Sequence, residues 1–206
     1  ADILRGWAER STAVLASRPV QRDIAFGDGA DERLDLFPPT AGRAAAGGAP
    51  VLVFIHGGYW RALDKADHAF VAPAFCDAGA LVLVPNYTLA PKASIETIAL
   101  QMTRAVAWAW HQAARHGGDP SRLVVAGHSA GGHLAAMLLA CRWAEVDAAL
   151  PARPLAGALA LSGLYDLEPL RHTPFLQADL RLTPASVRRL SPAFFPRPRG
   201  KLVTLV

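Results

Sequence analysis

The chain has 206 residues, 52% hydrophobic and 18% charged, which is enough to bury one substantial core, so a disordered segment is excluded and a single domain over 1–206 is expected. Its net charge of +4 comes mostly from scattered arginines. The one basic cluster, Arg188, Arg189, Arg197, Arg199 and Lys201, lies among prolines without interleaved stacking aromatics, which marks a solvated surface and gives no nucleic-acid partner. Cys76 and Cys141 sit in apolar contexts and are expected as buried free thiols of a reducing compartment. No apolar run approaches the roughly 20 residues of a membrane span. The start, Ala1-Asp2-Ile3-Leu4-Arg5, lacks a basic-then-apolar secretion pattern, so a soluble, cytoplasmic protein with no membrane partner is expected, as monomer or homodimer.

In chain order, Ile3, Leu4, Trp7, Val14 and Leu15 fall at helical spacing and predict an amphipathic amino-terminal helix. Val20 to Phe26 and Arg33 to Phe37 alternate around Gly27-Asp28-Gly29-Ala30-Asp31 and predict a hairpin, and the small residues from Ala41 to Pro50 a surface loop. Beyond Pro50 come short continuous apolar runs, Val51 to Ile55, Ala80 to Val84, Leu123 to Ala126, Leu155 to Leu161 and Leu202 to Val206, as in strands buried on both faces. Helical stretches from Lys65 to Ala78, Ser94 to His116 and Ala130 to Trp143 separate them, which predicts a mostly parallel sheet with helices on both faces. The proline-punctuated stretch 167–198 is a candidate cap insertion over the strand ends.

Leu123-Val124-Val125-Ala126 runs directly into Gly127-His128-Ser129-Ala130-Gly131-Gly132-His133, a G-x-S-x-G turn between strand and helix. Such a turn strains the serine backbone, exposes its hydroxyl above the sheet, and aims the helix N–H groups at the place where negative charge develops during acyl transfer. Ser129 is therefore the candidate nucleophile. A second buried strand ends in His56-Gly57-Gly58-Tyr59-Trp60, whose bare backbone suits an oxyanion hole formed by Gly57, Gly58 and Ala130. Tyr59 and Trp60 either wall the substrate pocket or pack beneath the cap.

These two motifs, with Ser162-Gly163-Leu164-Tyr165-Asp166-Leu167-Glu168-Pro169-Leu170 and Leu190-Ser191-Pro192, resemble the α/β-hydrolase esterases related to kynurenine formamidase (arylformamidase). The resemblance runs from about Glu32 to the end. It implies an α/β-hydrolase fold and hydrolysis of a small ester or N-formyl amide through an acyl-serine intermediate. It also implies no metal and no organic cofactor.

A serine nucleophile needs a histidine base and an acid, in chain order serine, acid, histidine. None of the seven histidines fits. His56 is expected to brace its turn, His128 to diverge from Ser129, and His133 to be packed; His68, His111 and His116 fall on helices without useful partners. His172 lies in the cap region, with Asp166 as a possible companion that equally well caps the following helix. The expectation is that Leu202 to Val206 precedes the missing acid loop, and that the carboxy-terminal part of the fold lies beyond residue 206. The alternative is a catalytically inactive α/β-hydrolase-like module that binds a ligand or partner.

Overall fold

A computed structural model describes residues 2–43, 46–196 and 201–205. Helix α1 (Asp2–Ser17) leads into the antiparallel pair β1 (Gln21–Ala25) and β2 (Arg33–Phe37). Five further strands follow: β3 (Ala49–Ile55), β4 (Leu81–Pro85), β5 (Gly118–His128), β6 (Gly157–Leu161) and β7 (Lys201–Leu205). They form one seven-stranded sheet in the order β1-β2-β4-β3-β5-β6-β7. β2 pairs antiparallel with β4, and every pairing from β4 to β7 is parallel.

The continuous apolar runs reflect burial on both faces. Val51, Val53, Ile55, Leu83, Leu123 and Val125 point to one side of the sheet and Leu52, Phe54, Val82, Val84 and Ala126 to the other. On the first side lie α3 (Ile95–Gln112), through Ile98, Met102, Val106 and Ala109, and α4 (Ala130–Leu139), through Leu134, Ala135 and Leu138. The second side is covered by α2 (Ala72–Asp77), through Ala72 and Cys76, with Val14 and Leu15 of α1. Each fully buried Val, Leu or Ile contributes about 1.5–3 kcal/mol over its exposed state. Ser94 caps α3, its Oγ accepting from Thr97 N–H at 3.1 Å.

The stretch from Lys65 to Ala78 is a 3-10 turn over Lys65–Val71 followed by α2, because Pro73 stands in the first turn of a new helix rather than inside an old one. The helix expected through Trp143 stops at Leu139 and resumes as α5 (Trp143–Val146). The stretch expected as a cap, of which residues 197 and 198 lie outside the described residues, contains α6 (Glu168–Arg171), α7 (Pro174–Leu180) and α8 (Pro184–Leu190), two of them opening on a proline, and a 3-10 turn over Pro192–Phe194. At the other edge β7 is exposed on both faces, Val203 and Leu205 each to 53%. Of the basic cluster near the end, Arg189 pairs with Glu96 at 2.6 Å, while Arg197 and Arg199 lie outside the described residues. Cys76 is buried and Cys141 half-buried, and both are free thiols. Among the described residues no helix is long and apolar enough to cross a membrane.

Candidate active site

Parallel β3, β5 and β6 end at the same level, so the loops after Ile55, His128 and Leu161 meet. Ser129 forms the link between β5 and α4 with φ 55° and ψ −116°, a conformation that costs a non-glycine residue about 1–3 kcal/mol. Two hydrogen bonds hold it there. Its N–H donates to the Leu161 carbonyl at 2.8 Å, and its carbonyl accepts from His133 N–H at 3.0 Å.

The glycines of this turn are required by close approach. A Cβ on Gly127 would overlap the Gly131 backbone, and one on Gly131 would overlap the Ile55 carbonyl and lie 2.7 Å from the His56 oxygen. A Cβ on Gly57 would lie 2.8 Å from the His128 oxygen and 3.3 Å from Ser129 Cβ, so the two loops touch beside the serine. Gly58 has φ +103°, and Tyr59 and Trp60 continue at φ 50° and 58°. Trp60 anchors this left-handed turn. It is completely buried, and its carbonyl accepts from Ala90 N–H at 2.8 Å.

The structure thus brings Gly57 beside Ser129, with Gly58 and Ala130 the next residues of the two turns. Among the described residues the Gly57 and Gly58 N–H groups have no protein acceptor, and Ala130 opens α4, whose amino end carries the positive pole of the helix dipole. Such an arrangement can stabilise negative charge beside the Ser129 hydroxyl. Tyr59 and Trp60 part company: Tyr59 is 40% exposed at the rim, whereas Trp60 lines no surface and fits only the packing role.

No described histidine forms a pair with an acid at the serine. His56 is buried beneath the glycine turn, Nδ1 2.9 Å from the Gly57 carbonyl and Nε2 3.0 Å from Asn86 Oδ1, and burial pushes it down to about 4. His133 is fully buried with Nε2 2.6 Å from the Leu190 carbonyl, and is likewise pushed down to about 4 by burial. His68, lowered by burial, places Nδ1 3.2 Å from the Asp64 carbonyl, and His128 turns its ring onto the Trp7 edge at 5.7 Å. His111 pairs with Asp147 at 2.7 Å, and His116 stacks on Trp108. His172 pairs with Glu168 at 2.9 Å at the surface, while Asp166 accepts from Glu168 N–H at 2.9 Å in the turn that leads into α6. Asp166 and His172 do not form a catalytic pair.

A family model described as the α/β hydrolase fold matches residues 52–201. The chain belongs to that family. It is 32% identical over 192 residues to kynurenine formamidase of Danio rerio, covering 93% of this chain and 61% of that protein. It is also 32% identical over 171 residues to kynurenine formamidase of Salmo salar, covering 83% and 54%. The chain therefore spans 54–61% of the length of these curated relatives. A crystal structure from Silicibacter, provisionally described as a thioesterase, superposes with a TM-score of 0.83 at 29% identity, covering 98% of this chain and 74% of that one. The fold and the resemblance expected from the two glycine motifs are those the comparisons return.

One part of the candidate site was not expected from the sequence. Tyr87, Asn86 and Asp64 gather under the Gly57 turn, Asn86 Nδ2 donating to Asp64 Oδ2 at 2.7 Å and the Tyr87 hydroxyl donating to the His56 and Gly57 carbonyls. The available signal was position: Asn86-Tyr87 follows a fully buried parallel strand at its carboxyl end, where α/β sheets place their functional loops.

Proposed function

We propose that the protein is a serine hydrolase that cleaves a small carboxylic ester or an N-formyl aryl amide, with Ser129 as nucleophile and Gly57, Gly58 and Ala130 as N–H donors to the oxyanion. The observation that carries the reading is the Ser129 backbone at φ 55°, held between β5 and α4 with the Gly57 turn against it. The ψ of −116° at Ser129 also takes it out of the left-handed helical region, a conformation costly to a non-glycine residue.

In the proposed reaction Ser129 Oγ adds to the carbonyl carbon, its proton passes to a base, and the carbonyl electron pair moves onto oxygen within reach of the three N–H groups. Collapse expels the amine or alcohol, which takes the proton. Water then adds to the acyl-serine and releases the acid and Ser129. The scheme calls for no metal or organic cofactor. We assign the base and its acid to residues outside 1–206, because the described histidines are engaged in the contacts given above. The two relatives named kynurenine formamidase support the formamide arm. Free Cys76 and Cys141 fit a reducing, cytoplasmic compartment.

The test is turnover of N-formylkynurenine, p-nitrophenyl acetate and p-nitrophenyl butyrate by the intact native protein and its Ser129→Ala variant. The expected result is hydrolysis of at least one of them, lost about a thousandfold or more in the variant. A native protein inert toward all three overturns the reading in favour of a binding module.

A further inference from the structure

We propose that Tyr87 is a positioning residue of the oxyanion cradle, its buried hydroxyl donating to the carbonyls of both peptide units whose N–H groups, from Gly57 and Gly58, face the oxyanion. The inference rests on the hydrolase reading above and extends it to a residue outside the two motifs.

Tyr87 is 1% exposed and stacks face to face on the His56 ring, centroids 4.2 Å apart and planes 9° apart. Its hydroxyl lies 3.1 Å from the His56 carbonyl and 3.2 Å from the Gly57 carbonyl. Carbonyls only accept, so the phenol is the donor, its single O–H shared between the two oxygens in a three-centre bond. Burial also pushes its ionisation upward, which keeps the proton in place. The His56 carbonyl belongs to the peptide whose N–H is that of Gly57, and the Gly57 carbonyl to the peptide whose N–H is that of Gly58. A donor on a peptide oxygen draws electron density toward that oxygen and makes the N–H of the same peptide a better donor, bonds linked in this way strengthening one another by about 10–30%. One hydroxyl thus orients and polarises both donors from behind.

The neighbouring groups make Tyr87 hard to replace. Asp64 accepts from Asn86 Nδ2 at 2.7 Å, which turns the Asn86 oxygen toward His56 Nε2. A neutral imidazole has one N–H to give. When that proton sits on Nε2 to meet Asn86, the Gly57 carbonyl has Tyr87 as its side-chain donor.

The experiment uses the intact native protein with a fluorophosphonate probe and p-nitrophenyl butyrate. Tyr87→Phe keeps the stacked ring and removes the donor. The expected result is a fall of about tenfold in both kcat and the rate of Ser129 phosphonylation, with KM changed less than twofold and the melting temperature nearly unchanged. A second protein carrying 3-fluorotyrosine at position 87, a stronger donor of nearly the same size, is expected to react at or above the wild-type rate. This arm stands even where Tyr87→Phe is unstable. A Tyr87→Phe protein within twofold of wild type, or a loss that 3-fluorotyrosine shares, overturns the proposal while leaving the hydrolase reading intact. Wild-type protein inert to both reagents overturns the hydrolase reading and this inference together.

Discussion

Replacing Gly131 by alanine tests how closely the serine turn and the glycine loop must pack. A Cβ there stands 2.7 Å from the His56 carbonyl oxygen, and the Ile55 oxygen is nearer still; ordinary contact begins at 3.4 Å. Restoring contact requires more than 1 Å of relative movement between α4 and the end of β3, and both neighbours are backbone. Ala130 and Ser129 ride on one side of that gap, Gly57 and Gly58 on the other. Misplacement of about 1 Å costs on the order of a hundredfold in rate, and overpacking about 1–3 kcal/mol in stability. Phosphonylation rates and urea midpoints of the intact native protein measure the two effects separately. Gly6→Ala is the control, since nothing lies within 4 Å of its Cβ in the interior of α1, and a gain of about 0.5–1 kcal/mol is expected. A Gly131→Ala protein that reacts within threefold of wild type refutes the close-approach reasoning.

Lys65 is buried between Asp35 and Asp23, its Nζ 2.8 Å from each, and the two carboxylates raise its pKa against the opposing effect of burial. Lys65→Met is expected to cost about 3–5 kcal/mol by urea denaturation, because Asp35 is 1% exposed and is left unneutralised; a loss below 1 kcal/mol contradicts this, and adding Asp35→Leu is expected to recover more than half. His56 and His133 are held neutral at about 4 in the folded chain, whereas an unfolded histidine titrates near 6.5. The unfolded state therefore binds more protons below about pH 6.5, so stability is full above that value and falls as pH drops toward about 4. His133→Gln is expected to flatten the urea midpoint against pH over that window, and an unchanged slope contradicts the assignment. His172→Ala, at an exposed cap position paired with Glu168, is expected to leave the phosphonylation rate within twofold of wild type.

The central strands were legible because burial on both faces leaves short unbroken apolar runs, and the serine turn because its two glycines, Gly127 and Gly131, are dictated by backbone approach. Element ends were less so. β5 begins at Gly118, five residues before its apolar run, since Gly118 and Asp119 pair with Ala49 and Pro50 across an irregularity that periodicity does not reveal. The network beneath the glycine turn was invisible for another reason. Asp64 and His56 come from the loop after β3 and Asn86 and Tyr87 from the loop after β4, and nothing in their local sequence states that a hydroxyl following β4 meets carbonyls following β3. Trp60 shows the same limit: beside an exposed Tyr59 in sequence, it turns completely inward because three successive positive φ values reverse the chain.

The central claim, that Ser129 is the nucleophile, is tested most directly by treating the intact native protein with a fluorophosphonate and locating the adduct by peptide mass spectrometry. A single adduct on Ser129, absent from Ser129→Ala and unaffected in His172→Ala, is the predicted result. An adduct on another residue, or none on protein shown to be folded, contradicts the account.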